Sequence, residues 1–590
     1  MISKLCFQGQ TIVSLFLVMS FGLWTVQAQD IKRITPRSGQ VDPSKIKSGT
    51  VTPKGKAEDS GDISDESFGT VKGVLLLGGP DQVSVDNPPK ISGVQIGDDE
   101  LEVPDGVTGA IGAFIGGPLS LKSINDLSKA AILAYRKGGL PVVDIGFPEQ
   151  NVSTGVLQLV VIVGKAGEIT LEGNRYFDDE IYLRSFRTKP GDVLWEASII
   201  DDLNFINRNP YHRVDMIYTP GEDFGDADII LTAEDRRPWA VYTGYENTGT
   251  PVIGEDRLFF GADWGNVFGT DQRVGYQYTT STDFDSLQAH SATYTIPIWP
   301  LRHELRFLGA YVTSNSSTNP TVISSGKSDQ LSATYAIPLP MIFGYTHEVE
   351  FGFDNKSTNN NLEFGGVNVF ANTAEINQFS LGQRLRKQQS FGYQMFTQRI
   401  VWSPGEMSNH NSDASFGAIR AFSTSDYVYW QSEFTQMINL PCGFSFLFDA
   451  AGQLSNGNLL PSETMLLGGA DSVRGFQQNT VFADQGVRMT MEVYTPPMAL
   501  LGQLGELKGE LATVKESARF FAFYDQAWAG NVDLLPGESS FLQLGGAGLG
   551  LDYRVNDEFS MRISHGWQVD QAGFADTINS RWNIYASMKY

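Results

Sequence analysis

The chain has 590 residues with a formal net charge of −24, 62 glycines and 12% aromatic residues. The acidic balance excludes a partner that needs a basic face, so no nucleic acid is expected. The length allows several domains.

Lys4 precedes an apolar run, Thr11–Trp24, and small residues follow in Val26-Gln27-Ala28. A charged start, an apolar stretch and an A-x-A-like site predict a secretory signal peptide over 1–28. No later stretch offers about eighteen uninterrupted apolar residues, so no transmembrane helix is predicted beyond it. Cys6 leaves with the signal and Cys442 stands alone, which removes any disulfide within the mature chain. Residues 29–67 are polar, with seven Lys/Arg from Lys32 to Lys56 and five acids from Glu58 to Glu66. Pro36, Pro43 and Pro53 oppose a long helix, and the segment is expected to be a flexible leader.

Residues 68–235 read as α+β. Val74–Leu77 is a strand candidate. Ser120 caps a helix whose face carries Leu121, Ile124, Leu127, Ala131 and Tyr135, and Gly138-Gly139 ends it. Val156–Val163 is apolar on both faces, as a fully buried strand would be. A shorter copy follows: strand 169–171, helices near 178–186 and 197–206, and strands 214–218 and 228–233. Two small modules are expected, 68–164 and 165–235, with a boundary near Gly164.

From Trp239 to Tyr590 alternating segments of strand length recur, separated by Gly, Asn, Asp, Ser and Pro. In the last of them Trp582, Ile584, Ala586, Met588 and Tyr590 share one face, and Asn583, Ser587 and Lys589 the other. Aromatics such as Trp299, Tyr335 and Trp567 sit near strand ends, as interfacial girdles do. Seventeen candidates can be counted. The weakest is Ala414–Phe422, and without it sixteen remain, an even number as bacterial barrels have. A transmembrane barrel is expected over 236–590, preceded by the two α+β modules in the periplasm.

Leu467-Gly-Gly-Ala-Asp-Ser-Val-Arg-Gly-Phe476 is the most pointed motif. Its glycines permit backbone angles other residues avoid. The permanently charged Arg474 seeks a fixed anion.

Several stretches resemble the TpsB (ShlB/FhaC-type) outer-membrane transporters of two-partner secretion, in the BamA-like barrel superfamily. Ala134–Gly139, Phe147–Gln150 and Gly155–Leu159 are similar to the end of that family's first POTRA domain. Leu203–Pro210, Thr219–Glu222 and Asp235–Trp239 are similar to the second and to the barrel entry, and Gly244–Gly249 to the first barrel strand. Val473-Arg474-Gly475-Phe476 resembles the V-R-G-F/Y tip of the long sixth loop, and Phe523-Tyr-Asp525-Gln-Ala527 the F-x-D-x-G partner motif, with Ala527 in place of the final glycine. The resemblance implies that loop 455–486 folds into the barrel and pairs Arg474 with Asp525. Asp525 alternates with Phe523, so a charge and an aromatic share one face.

Enzyme signatures are missing. There is no H-E-x-x-H, G-x-S-x-G or C-x-x-C, and His347-Glu348 lacks a second histidine. Gly545-Gly-Ala-Gly-Leu-Gly550 reads better as alternating glycines on a crowded barrel strand than as a nucleotide loop. No catalytic residue, metal or cofactor is expected. The resemblance implies a monomeric protein pore that exports an extended periplasmic exoprotein of haemolysin or adhesin type. Its own insertion would need outer-membrane lipid and the barrel-assembly machinery. An outer-membrane protein insertion factor, a passive porin and a secreted β-rich enzyme or adhesin are the alternatives.

Overall fold

The computed structural model describes residues 31–36, 51–53, 66–223, 225–319, 322–364, 367–500, 515–574 and 578–590. The expected signal peptide lies outside the described residues. Chain contacts divide the molecule into two units, 48–236 and a second made of 1–47 with 237–590.

In the first unit, β1 (Val51–Pro53), β2 (Ser67–Thr70), β3 (Gly73–Leu77), β4 (Gly93–Ile96), α2 (Val107–Gly112), β5 (Pro118–Ser120), α3 (Leu121–Lys137), β6 (Val143–Gly146) and β7 (Val156–Val163) come first. A four-stranded sheet runs β4-β3-β7-β6. The Ser120 hydroxyl accepts from Ser123 N at 3.2 Å and Ser123 Oγ accepts from Ser120 N at 2.9 Å, a reciprocal cap that starts α3. Gly139, at φ +93°, lies just past its end. Leu127, Ala131 and Tyr135 pack on Val74, Leu76, Leu157 and Leu159. Leu121, placed on that face by periodicity, is 52% exposed, because it occupies the first turn before the helix meets the sheet.

The remainder of this unit is β8 (Lys165–Glu172), α4 (Asp179–Leu183), α5 (Glu196–Ile206), β9 (His212–Pro220) and β10 (Asp226–Asp235). The sheet order is β1-β9-β10-β8. Strands β8 and β10 are parallel; α4 and α5 carry the chain across to β9, which runs antiparallel to β10 and supplies the return that parallel pairing demands. Within the expected leader, residues 51–53 pair parallel with β9, Val51 opposite Met216.

The second unit opens with α1 (Ile31–Ile34), a single helical turn. Then follow β11 (Trp239–Glu246), β12 (Arg257–Val267), β13 (Gln272–Ser281), β14 (Leu287–Ile298), β15 (His303–Asn319), β16 (Val322–Ile342), β17 (Tyr345–Phe364), β18 (Val367–Gln389) and β19 (Gly392–Pro404). After α6 (Asp413–Ile419) come β20 (Asp426–Asn439), β21 (Ser445–Ser455), the short pair β22 (Met465–Leu467) and β23 (Val481–Ala483), β24 (Gln485–Tyr494), β25 (Glu516–Gly530), β26 (Leu542–Val555), β27 (Phe559–Ala572) and β28 (Ser580–Lys589). All but β22 and β23 form one closed antiparallel barrel of sixteen strands, sealed by β11 on β28. Closure leaves no edge within the hydrocarbon, where an unpaired amide would be costly. The seventeenth candidate, 414–422, is helix α6: Ser412 caps it by accepting from Ser415 N, and Phe416 and Ile419 share its buried side.

Period-two alternation sorts the two faces. Trp582, Met588 and Tyr590 are exposed on the outside, while Asn583 is buried within. Phe353, Phe379 and Trp402 form a row on the outer face, with ring centroids 5.1 and 5.7 Å apart. Beyond this row, toward the β17–β18 loop, outward positions become Asn355, Ser357, Asn377 and Glu375. The row therefore marks one border of the apolar belt.

Candidate functional site

The connection between β21 and β24, residues 456–484, turns into the barrel rather than away from it. Gly468, Gly469 and Gly475 have φ of +97°, +98° and +101°. At Gly475 a side chain is excluded twice, by this angle and by space, since a Cβ would lie 2.9 Å from the Trp567 carbonyl carbon. Val473 and Phe476 are fully buried with Leu467, Val481, Ala483, Ala527, Ala529 and Leu544. Ala527, where the motif has glycine, contributes its methyl to this cluster and leaves the packing intact.

Arg474 lies between these two apolar anchors. Its Nε–H donates to Asp525 Oδ2 and its Nη2 to Asp525 Oδ1, both at 2.7 Å. Its own backbone N–H also donates to Oδ2, at 3.0 Å. The third guanidinium nitrogen, Nη1, donates to Glu492 Oε1 at 2.5 Å. Arg562 donates to the same Glu492 oxygen at 2.6 Å and to the Tyr494 hydroxyl at 3.0 Å. Two arginines thus meet two carboxylates. Arg474, Asp525 and Glu492 are almost wholly shielded from solvent, and Arg562 is the more open member. Such a cluster tolerates burial because each charge is matched and hydrogen-bonded; leaving one unmatched costs about 3–5 kcal/mol.

The aromatic on the inner face has a place in this geometry. The Arg474 guanidinium carbon sits 3.5 Å above the Phe523 ring centroid, where the ring face attracts a cation. Phe523 and Asp525 share the lumen face because one holds the top of the guanidinium and the other its fork.

The wall opposite is stripped of side chains. Register sets Asp525 against Gly546 and Phe523 against Gly548, and Gly548 against Gly566. A Cβ on Gly546 would lie 2.0 Å from the Arg474 carbonyl oxygen, and one on Gly566 would lie 2.7 Å from Gly475 N. At Gly548 it would strike the Phe523 ring at 2.5 Å. The glycine alternation of 545–550 is therefore a seat for the loop tip. Sequence reading identified the crowding there but not what crowds it. It also missed Glu492, Tyr494 and Arg562; their parity places them in the lumen, but only cross-strand register brings them together.

A second group of contacts sits on the loop side of the lumen. Helix α6 packs Phe416 and Ile419 against Ile376, Val401, Tyr427 and Tyr429 of the wall and Leu459-Leu460 of the inward loop. Arg420 is paired with both Asp484 carboxylate oxygens, at 2.5 and 3.0 Å. Asp484 also accepts from the N–H groups of Leu459 and Val532. Residues 31–36 of the expected leader lie against the lumen wall too. Ile34 is buried with Ile253, Leu287, Ala289, Ala310 and Val312. The Arg33 carbonyl accepts from Gln277, and Arg33 is paired with Asp471 of the inward loop. Among the described residues no group of His, Cys, Asp and Glu is arranged to hold a metal.

A closed sixteen-stranded barrel, two α+β modules before it and an arginine-tipped loop inside it define an outer-membrane barrel of the POTRA-bearing type. Comparison with known proteins agrees. Residues 225–513 match the family model "Haemolysin secretion/activation protein ShlB/FhaC/HecB" and residues 90–164 match "POTRA domain, ShlB-type". Residues 225–513 thus carry the sequence pattern of the ShlB/FhaC/HecB family, behind a POTRA domain of the same type. The chain is 24% identical over 385 residues to the outer membrane transporter CdiB of Dickeya dadantii (strain 3937), covering 62% of this chain and 65% of that protein. It is 21% identical over 383 residues to the heme/hemopexin transporter protein HuxB of Haemophilus influenzae, covering 63% and 66%. The matched region thus spans just under two thirds of either relative. In fold it is similar to the solved structures of CdiB from Escherichia coli (TM-score 0.73, 17% identity, 96% of this chain and 98% of the other) and from Acinetobacter baumannii (TM-score 0.61, 16% identity, 100% and 98%).

Proposed function

We propose that this chain is the outer-membrane pore through which a partner exoprotein of haemolysin or adhesin type leaves the cell by two-partner secretion. The observation that carries the reading is the loop tip fixed inside a closed barrel by the Arg474–Asp525–Glu492–Arg562 cluster, on a chain that carries the pattern of the haemolysin secretion family. The site holds and positions a loop. Holding a loop inside a barrel is a task of transport rather than of catalysis.

The modules 68–164 and 165–235 would receive the exoprotein in the periplasm in extended form. Strands β4 and β6 end the first sheet and could accept it by main-chain pairing. The barrel would then pass it outward as a monomer, with no nucleotide or metal. The turn α1 and the inward loop occupy lumen wall, and they would be displaced during export. This gives Val473, Arg474, Gly475, Phe476, Phe523 and Asp525 a role in holding the resting pore.

The insertion-factor reading draws on one observation. The seam is short: Tyr242–Glu246 of β11 pair with β28, extended by Val241 with Tyr590 and by Asn247 with Ile584, against nineteen pairs between β17 and β18. A chromosomal deletion separates the readings. On the export reading, a large secreted exoprotein is lost from the medium, and other outer-membrane proteins keep their levels. A general fall in those proteins, with the exoprotein still exported, would establish the insertion factor instead.

A further inference from the structure

Strands β15 to β18 are far longer than a membrane requires. They run 17, 21, 20 and 23 residues, where ~10 suffice to cross. Their outward faces turn largely polar beyond Phe353 and Phe379: Asn355 and Asn377 lie in the next row with Leu331, and Asp329, Ser357 and Glu375 in the row after it. The excess therefore continues the barrel wall past the apolar belt, as a four-stranded sheet standing in water on the side of the lumen that the inward loop enters.

This sheet has an open edge. Strand β18 pairs with β19 only over Phe379–Gln389, because β19 ends at Pro404, which has no N–H to donate. Among the described residues no strand pairs with that side of Val367–Gln378. The direction of its main chain is fixed by Glu375. The Glu375 N–H donates to the His410 carbonyl at 3.0 Å, and the Glu375 carbonyl accepts from Asn411 at 2.9 Å. In an antiparallel strand the N–H and C=O of alternate residues point the same way. Thr373, two residues toward the β17–β18 loop, therefore presents its N–H and C=O to the side on which no strand pairs, next to Asn372, whose side chain donates to the Ala418 carbonyl of α6 at 3.1 Å. An unblocked edge in water is a template for another strand, and folded proteins normally blunt such edges.

We propose that the edge of β18 around Thr373 receives an extended segment of the exported polypeptide as it leaves the barrel, adding it as a strand and starting its folding outside. This rests on the transport reading. Position selects the occupant. The edge prolongs the lumen wall at the end where the chain would emerge, its neighbouring outward face is too polar for lipid, and main-chain pairing suits an unfolded chain whatever its side chains.

The test uses the full-length chain in cells with the secreted exoprotein, fused at its C-terminus to a tightly folded domain that halts export midway. A photo-crosslinking residue is placed at Thr373, or at Asp329, which is exposed on the same sheet but lies on β16 with both strand edges paired. Thr373 should capture the halted exoprotein about tenfold more than Asp329. Equal capture, or none at Thr373 while export is demonstrably halted, overturns the proposal. In the unfused system, Thr373→Pro removes the donor from the open side. Protease-resistant exoprotein should then appear several-fold more slowly outside, while the total exported stays level; unchanged folding overturns the proposal. Should deletion of this chain leave export untouched, the transport reading itself fails, and that result is read before any crosslink.

Discussion

Arg474 and Asp525 lie 51 residues apart in sequence and meet in a two-point fork, with both contacts at 2.7 Å and the Arg474 backbone N–H closing a third on the same carboxylate. One carboxylate therefore fixes both the side chain and the main chain of the loop tip. Asp525→Asn removes the counter-charge and leaves two arginines sharing Glu492. We expect a loss of about 3–5 kcal/mol, the range for a buried pair deprived of one partner. Urea titration of the detergent-solubilised barrel, or loss of its heat-modifiable form on gels, measures it. An unchanged midpoint would mean that the fork contributes little.

The glycine seat makes a separate prediction. Gly546→Val places atoms where the Arg474 carbonyl oxygen now lies, 2.0 Å from the position of a Cβ. A backbone group cannot swing aside as a side-chain tip can, so the loop should leave its seat while the sixteen strands still close. Limited proteolysis of intact cells would then cut within 456–484 at least several times faster than in the unaltered protein. Equal cutting would show that the tip is not held against β26.

Ala527→Gly restores the family's glycine yet should destabilise the site. It deletes a fully buried methyl from the cluster around Val473 and Phe476 and loosens a strand interior. About 1–2 kcal/mol is expected from these two effects. The same denaturant titration reads it, and a gain in stability would contradict the packing described for Ala527.

The leader supplies a prediction about the pore. Ile34 is buried against Ile253, Leu287, Ala289, Ala310 and Val312 on the lumen side of the wall. Deleting residues 31–36 should widen the free path. Single-channel conductance in planar bilayers should rise, and Ile34→Asp should raise it in part, because an ionised carboxylate cannot stay in that apolar seat. Conductance identical to that of the full chain would place α1 outside the conducting path.

Much of the architecture was legible because barrel strands announce themselves by parity. Trp582 to Tyr590 reads as two faces, and the structure puts them against lipid and lumen. The weakest candidate, 414–422, whose removal leaves sixteen strands, is not part of the barrel: Ser412 caps a short helix over Asp413–Ile419 that buries Phe416 and Ile419. The two described pieces of the leader show a different limit. The leader's composition cannot build a core of its own, but Ile34 borrows the core of the barrel wall and 51–53 borrow the edge of β9, and no local signal reports a distant partner. At the site, Arg474 and Asp525 stood out through their motifs. Glu492, Arg562 and the seat glycines depend on which strands lie side by side, and that is a property of the closed barrel rather than of any segment.

If the anchored loop serves export of a protein partner, removing its arginine must reduce that export. Arg474→Ala is introduced on the chromosome, and the secreted exoprotein is quantified in the medium alongside the amount of barrel in the outer membrane. The account predicts normal barrel levels with exoprotein export reduced at least tenfold. Export at the unaltered level, from a barrel carrying Arg474→Ala at normal abundance, would contradict it.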